Sequence, residues 1–162
     1  MKLQMSGESK TNAMRLLDSA GVAYRVLSFP AGEDHMDALE VAAIIGVEPE
    51  RVFKTLVATD GAAYFVFCIP APCSLDLKRA AAVTGAKRIE LIDHRLLPSV
   101  TGYVRGGCSP LCMKKALPTW IDETAQLHAE ISVSAGRRGT QIALAPEELR
   151  RLAGAEWADL GR

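Results

Sequence analysis

An irregular succession of helix and strand signals, without regular βαβ alternation, predicts an α+β domain built on a mixed sheet. Three observations carry that prediction. Two apolar runs, 52–59 and 63–69, flank Asp60-Gly61, a pair suited to a tight hairpin turn. Further strand signals at 22–29, 89–92, 117–121, 130–133 and 140–144 are interleaved with helix signals at uneven spacing. The 162 residues, 49% hydrophobic and 23% charged, suffice for one core and contain no repeat, low-complexity run or linker.

The elements follow from local chemistry. Residues 1–8 read as a loose leader, and 9–162 as the domain. A helix fits 9–20, capped by Ser9 or Thr11, with Ala13, Leu16, Leu17 and Ala20 on one face and Gly21 in the terminating left-handed position. The strand 22–29 stops at Pro30, and an acidic loop comes after it. Asp37 with Glu40 three residues on makes a capping box for a helix ending at Gly46, with Leu39, Ala42, Ala43 and Ile45 as core candidates. Pro70-Ala71-Pro72 ends the second hairpin strand, Ser74 is suited to cap a helix to Thr84, and Gly85 closes it. Asp93 is suited to cap a short helix ending near Pro98. Pro146 fits the first position of a last helix, with Glu147 and Glu148 in its first turn and Gly154 after it.

Formal charge is zero, which argues against polyanion binding by the chain as a whole and directs attention to a local patch. Between Asp93 and Asp122 there is no carboxylate, while Arg95, Arg105, Lys114 and Lys115 all fall there; the stretch from Glu33 to Glu50 is acidic without a Lys or Arg. No secretory signal and no apolar run of membrane-span length is present, so a cytoplasmic chain with reduced thiols is expected. Cys68, Cys73, Cys108 and Cys112 lack Cys-x-x-Cys spacing and a nearby histidine, so neither a metal nor another cofactor is expected. His35, His94 and His128 fall in unrelated segments. No P-loop or dinucleotide fingerprint occurs, and Ser109 lacks the Gly-x-Ser-x-Gly context of a hydrolase elbow. Cys108 reads either as a nucleophile or as a small semi-buried residue, the second being the plainer reading.

Three places carry candidate chemistry. Residues 101–115 open with Thr101-Gly102, contain Arg105 and the pair Gly106-Gly107, turn at Ser109-Pro110 and close on Lys114-Lys115. Adjacent glycines let backbone N–H groups approach a ligand, and the flanking cations make that ligand an anion; the plain alternative is a tight connection with a solvated basic end. Lys54 interrupts an apolar strand on the face of Val52 and Leu56, so it either snorkels to water or points into a polar cavity where it stabilises an oxyanion. Residues 133–139 run from a strand end into a turn with Ser134, Gly136, Arg137 and Arg138, which suits a phosphate or ribose and is equally an ordinary glycine turn.

Taken together the motifs resemble the YbaK/EbsC family of trans-acting aminoacyl-tRNA deacylases, in the branch acting on cysteinyl-tRNA(Pro). The matching stretches are 10–14, Val52-Phe53-Lys54-Thr55-Leu56-Val57, 75–78, Thr101 to Pro110, 113–115, 118–119, and Val133-Ser134-Ala135-Gly136 with Arg138-Gly139. The resemblance covers roughly 9–160. It implies a barrel-like mixed sheet flanked by helices, and an editing enzyme that removes cysteine misattached to tRNA(Pro), because small pockets discriminate weakly against near-isosteres. It further implies that the thiol of the bound cysteine attacks its own ester, leaving a cyclic thiolactone, so that the protein supplies positioning and oxyanion stabilisation. On that reading Lys54, Gly106 and Gly107 are catalytic. Ser134, Phe29, Thr101, Gly102, Ser109 and Gly136 contact the aminoacyl-adenosine end. Arg105, Lys114, Lys115, Arg137 and Arg138 meet tRNA phosphates. The implied partners are mischarged tRNA and, transiently, prolyl-tRNA synthetase. The sequence departs from the family at Cys112, where glycine is usual, and at Phe29, where tyrosine is frequent. The rival readings are a non-catalytic tRNA-end or nucleotide-binding module, and an adaptor docking on the synthetase.

Overall fold

The hairpin around Asp60-Gly61 is the scaffold of the molecule. In the computed structural model, which describes residues 9–162, β2 (Phe53–Thr59) and β3 (Tyr64–Pro70) pair antiparallel from Phe53 opposite Pro70 to Thr59 opposite Tyr64. Asp60 accepts from the N–H groups of Ala62 and Ala63, which closes the turn locally. The leader expected over 1–8 lies outside the described residues.

Around the hairpin stand β1 (Arg25–Ser28), β4 (Glu90–Leu91), β5 (Thr119–Asp122), β6 (Ile131–Ser134), β7 (Thr140–Leu144) and β8 (Glu156–Ala158). They form a five-stranded sheet of order β4-β2-β3-β5-β8 and a three-stranded sheet of order β1-β7-β6. The β3–β5 and β5–β8 pairs are parallel and the others antiparallel, so the larger sheet is mixed. A parallel bridge from Val52 to Ser132 joins the two sheets. Among the described residues five α-helices flank them: α1 (Asn12–Ser19), α2 (Ala38–Ile45), α3 (Leu77–Thr84), α4 (Leu97–Thr101) and α5 (Pro146–Ala153).

Most caps match the sequence. Thr11 accepts from Met14 N, Asp37 and Glu40 form both halves of the capping box, and Gly46, Gly85 and Gly154 end their helices in the left-handed region. Four expectations are corrected. Asp76, not Ser74, caps α3, because its carboxylate reaches the N–H groups of both Lys78 and Arg79. The helix near Pro98 does not end there: Pro98 sits in the first turn of α4, which runs to Thr101 and closes on Gly102. In α2 the core positions are Val41 and Ala42, while Leu39 and Ala43 are exposed. The first strand is only Arg25–Ser28, and β8 carried no clear signal in its three residues.

The main core packs α1 and α5 against the inner faces of both sheets, with Leu17, Ile121, Ile131, Ile142, Leu144 and Leu149 fully buried. A second cluster joins Phe67, Ile69 and Trp120 to Leu75, Ala80 and Leu160. The segment 160–162 is stitched to 74–76: Ser74 and Arg162 exchange backbone hydrogen bonds, and Asp76 N donates to Leu160 O at 2.8 Å. Buried Asp122 fixes the same segment by accepting from Leu160 N and Gly161 N. Residues 74–76, part of one wall of the candidate active site, therefore rest on the segment just beyond β8.

Candidate active site

Between Phe53 and Leu56 one edge of β2 has no strand partner among the described residues. The β4 strand pairs only with Ala58 and Thr59, Ile92 N donates to Val57 O, and the bridge to Ser132 lies at Val52. Along this open edge runs a cleft of about 1010 Å³. Its walls include Lys54, Thr55 and Leu56 of β2, His35 and Asp37 before α2, Ala71 and Ser74 beyond β3, Arg105, Gly106 and Cys108 of the 101–115 loop, and Ser134 and Gln141 of the smaller sheet. Leu39, Leu77 and Leu91, each 42–49% exposed, give it an apolar rim.

Strand alternation puts Lys54 on the face of Leu56 and Ala58, opposite Phe53 and Thr55. The side chain is half-buried, and Nζ donates to Ala71 O at 3.1 Å. Burial lowers its pKa, while Cys73 and Asp37 act in the opposite sense. The lysine is thus held by one carbonyl and keeps further N–H donors for a ligand.

The 101–115 loop is built by internal hydrogen bonds. Thr101 Oγ1 donates to Leu97 O and accepts from Tyr103 N; Tyr103 Oη donates to Leu111 O; Ser109 Oγ accepts from Leu111 N; and Lys114 N donates to Thr101 O at 2.8 Å. Within the loop Gly107 N donates to Val104 O at 2.9 Å. The N–H groups of Gly106 and Cys108 have no acceptor among the described residues, and both residues line the cleft. Gly106 has φ +85°, and a Cβ there would stand 3.4 Å from Arg138 Nε and 3.7 Å from His35 Cβ. Gly107 is closed to a side chain, because its Cβ would lie 3.0 Å from the Arg137–Arg138 backbone.

The residues anticipated from sequence separate into groups. Lys54, Arg105, Gly106 and Ser134 come together in the cleft wall. Ser134 is buried, and its hydroxyl accepts from Gly136 N at 3.2 Å. Thr101, Gly102, Gly107 and Ser109 shape the loop behind the wall, and Gly136 packs on the Tyr103 ring. Phe29 stands behind the Gly106 turn with Ala31 and Gly139, in a separate small recess. Among the cations, Lys114 and Lys115 are exposed with Arg105, and none of the three has an ion-pair or hydrogen-bond partner for its side chain among the described residues. Arg137 donates to Thr140 Oγ1 and to Ser9 O, and Arg138 donates to Arg105 O at 2.7 Å and to Glu33 O. Both arginines brace loops.

Two cleft residues were missed. Gln141 is only 7% exposed; its Oε1 accepts from Ser132 Oγ, which leaves its amide nitrogen for the cleft. A polar residue inside the apolar run 140–144 was the signal for it. His35 had none, since a histidine in an acidic loop looks solvated. No thiol is activated toward thiolate: burial pushes Cys108 and Cys68 up to about 12 and raises Cys73 and Cys112 as well. Among the described residues no group of His, Cys, Asp and Glu is placed to hold a metal ion.

The aminoacyl-tRNA editing domain family matches residues 32–152. Over 154 residues, 94% of each chain, the sequence is 44% identical to EbsC of Enterococcus faecalis, whose name gives Cys-tRNA(Pro)/Cys-tRNA(Cys) deacylation as a provisional assignment. A crystal structure described, again provisionally, as a trans-editing enzyme for prolyl-tRNA synthetase superposes with TM-score 0.81 at 26% identity, covering 95% of this chain and 99% of that one. The hypothetical protein APE2540 shares the fold with TM-score 0.82 at 22% identity, covering 92% of this chain and 98% of its own.

Proposed function

The chain belongs to the aminoacyl-tRNA editing domain family, and from that premise we propose that it is a trans-acting deacylase clearing cysteine from mischarged tRNA, chiefly Cys-tRNA(Pro). The observation that carries this reading is the cleft itself: it presents Lys54 and the unpaired N–H groups of Gly106 and Cys108 but no activated protein nucleophile. Such a site suits a substrate that brings its own. The thiolate of the bound cysteine attacks the ester carbonyl carbon, and the carbonyl electron pair moves to oxygen. Collapse then breaks the acyl–ribose C–O bond, releasing a thiolactone and the tRNA hydroxyl.

Gly106 N–H and Cys108 N–H receive the developing oxyanion. Lys54 adds charge beside it and fixes the aminoacyl end. Ser134 and Gln141 hold the ribose side, and the Leu39–Leu77–Leu91 rim receives the terminal adenine. Arg105, Lys114 and Lys115 meet the acceptor-stem phosphates. Gly107, Arg137 and Arg138 act by holding the loop. A transient complex with prolyl-tRNA synthetase in the cytoplasm places the enzyme where mischarged tRNA(Pro) arises.

The test is single-turnover deacylation of Cys-, Ala- and Ser-tRNA(Pro) by wild type and Lys54→Ala. Cysteine is expected to be released far faster than serine, whose hydroxyl is a poorer nucleophile. Lys54→Ala is expected to lower the rate on the order of 10²-fold. Equal rates for Ser- and Cys-tRNA would refute thiol assistance, and full activity of Lys54→Ala would remove that lysine from the mechanism. Tight tRNA binding with no turnover would instead establish a binding module.

A further inference from the structure

We propose that the imidazole of His35 is the proton carrier of this reaction, taking the thiol proton of the bound cysteine and returning it to the departing ribose oxygen. The inference rests on the deacylase reading. A thiol must lose its proton before it attacks, and an alkoxide leaves poorly unless it gains one. The cleft wall holds few groups able to do both. Lys54 directs Nζ at Ala71 O, the Asp37 carboxylate caps α2, and the Cys108 thiol is buried. The Asp93 carboxylate is engaged by Arg95, and His94 stands beside it with 55% of its side chain exposed.

His35 differs on each count. It is half-buried in the cleft wall, with its Cβ against the Gly106 turn that carries the proposed oxyanion donor. Its ring makes no hydrogen bond among the described residues, so both nitrogens are open to a ligand. The charged groups around it are Arg105 and Arg138 from the loops, which disfavour the imidazolium, and Asp37 and Glu40 from α2, which favour it. Burial and the two guanidiniums prevail and lower its pKa, which favours the neutral ring, the form with a free nitrogen lone pair to accept a proton.

The step balances. The S–H proton passes to a ring nitrogen as the S–C bond forms and the carbonyl becomes an oxyanion. When the tetrahedral centre collapses, the acyl–O bond breaks and the ribose oxygen takes the proton from the imidazolium. His35 ends neutral, and no outside reagent is consumed.

The experiment measures single-turnover rates on Cys-tRNA(Pro) across about pH 5 to 9 for wild type, His35→Gln, His35→Asn and His94→Gln, with thermal melting to show that each variant is folded. Wild type is expected to lose rate on acidification with a midpoint below the ordinary histidine value of about 6.5. The His35 variants should lose that inflection and run on the order of 10²-fold slower near neutrality. Their deficit should shrink as pH passes the substrate thiol's value of about 8.5, where thiolate forms without help. In a further variant, His35→Ala, added imidazole should partly restore the rate. An unchanged profile in the His35 variants, or loss of the inflection in His94→Gln instead, would overturn the assignment while leaving the deacylase reading intact. A wild-type protein that releases no amino acid from any of the tRNAs would refute both.

Discussion

Cys112 is the one described non-glycine residue with positive φ, at 58°. The departure noted in the sequence, cysteine where the family usually has glycine, therefore falls on a left-handed backbone position that a side chain occupies only at a cost. The thiol recovers a weak contact to Asn12 O at 3.5 Å. Cys112→Gly is expected to stabilise the fold by about 0.5–1 kcal/mol, read as a raised urea midpoint with unchanged slope. Residue-scale legibility followed one rule. Lys54 stood out because a lone cation in an apolar strand admits few explanations, and the structure places it in the cleft. Arg138 was misleading because a loop arginine looks free in sequence. Only the fold shows that its guanidinium ties Arg105 O to Glu33 O across the Gly106 turn.

At the scale of elements, Glu130 joins three pieces of chain. Its carboxylate takes a fork from Arg25 of β1, with Nη2 at 2.5 Å, and its carbonyl accepts from Arg51 before β2. The hydrogen bond from Arg25 is the main reason its carboxyl titrates below the usual range, with charge from Arg25 and Arg51 adding to it. A depressed folded pKa means stability that is present above the unfolded value of about 4.3 and lost as pH falls through the folded one. Glu130→Gln is expected to cost about 1 kcal/mol at neutral pH and to flatten the acid limb of a stability-versus-pH curve measured by urea unfolding. Helix ends and the hairpin were legible because Asp-Gly, Asp37 with Glu40, and the closing glycines specify backbone geometry locally. Strand order was not. Nothing within β5 or β8 announces that they pair in parallel beside β3, since that choice is made by contacts far apart in sequence.

Across the whole molecule, zero formal charge hides a local field. Arg105, in the cleft wall, and Lys114 and Lys115, at the end of the same loop, stand exposed, while many other arginines are spent on carboxylates or carbonyls, as Arg25, Arg95 and Arg138 are. Replacing these three by alanine is expected to weaken tRNA binding and to reduce the slope of log affinity against log salt by about 2, with melting temperature unchanged; filter binding at several salt concentrations reads it out. The stitching of 160–162 to 74–76 has a consequence for biosynthesis. A nascent chain stalled on the ribosome before Leu160 already contains every residue to which chemistry is assigned, from His35 to Gln141. It still lacks the hydrogen bonds that hold Ser74 and Asp76, whereas Ala71, whose carbonyl accepts from Lys54, is already held through its N–H by Val52 O. The Ser74–Asp76 part of the wall is therefore ordered only once the chain beyond β8 has docked, so that local order at the cleft depends on a contact made far along the sequence.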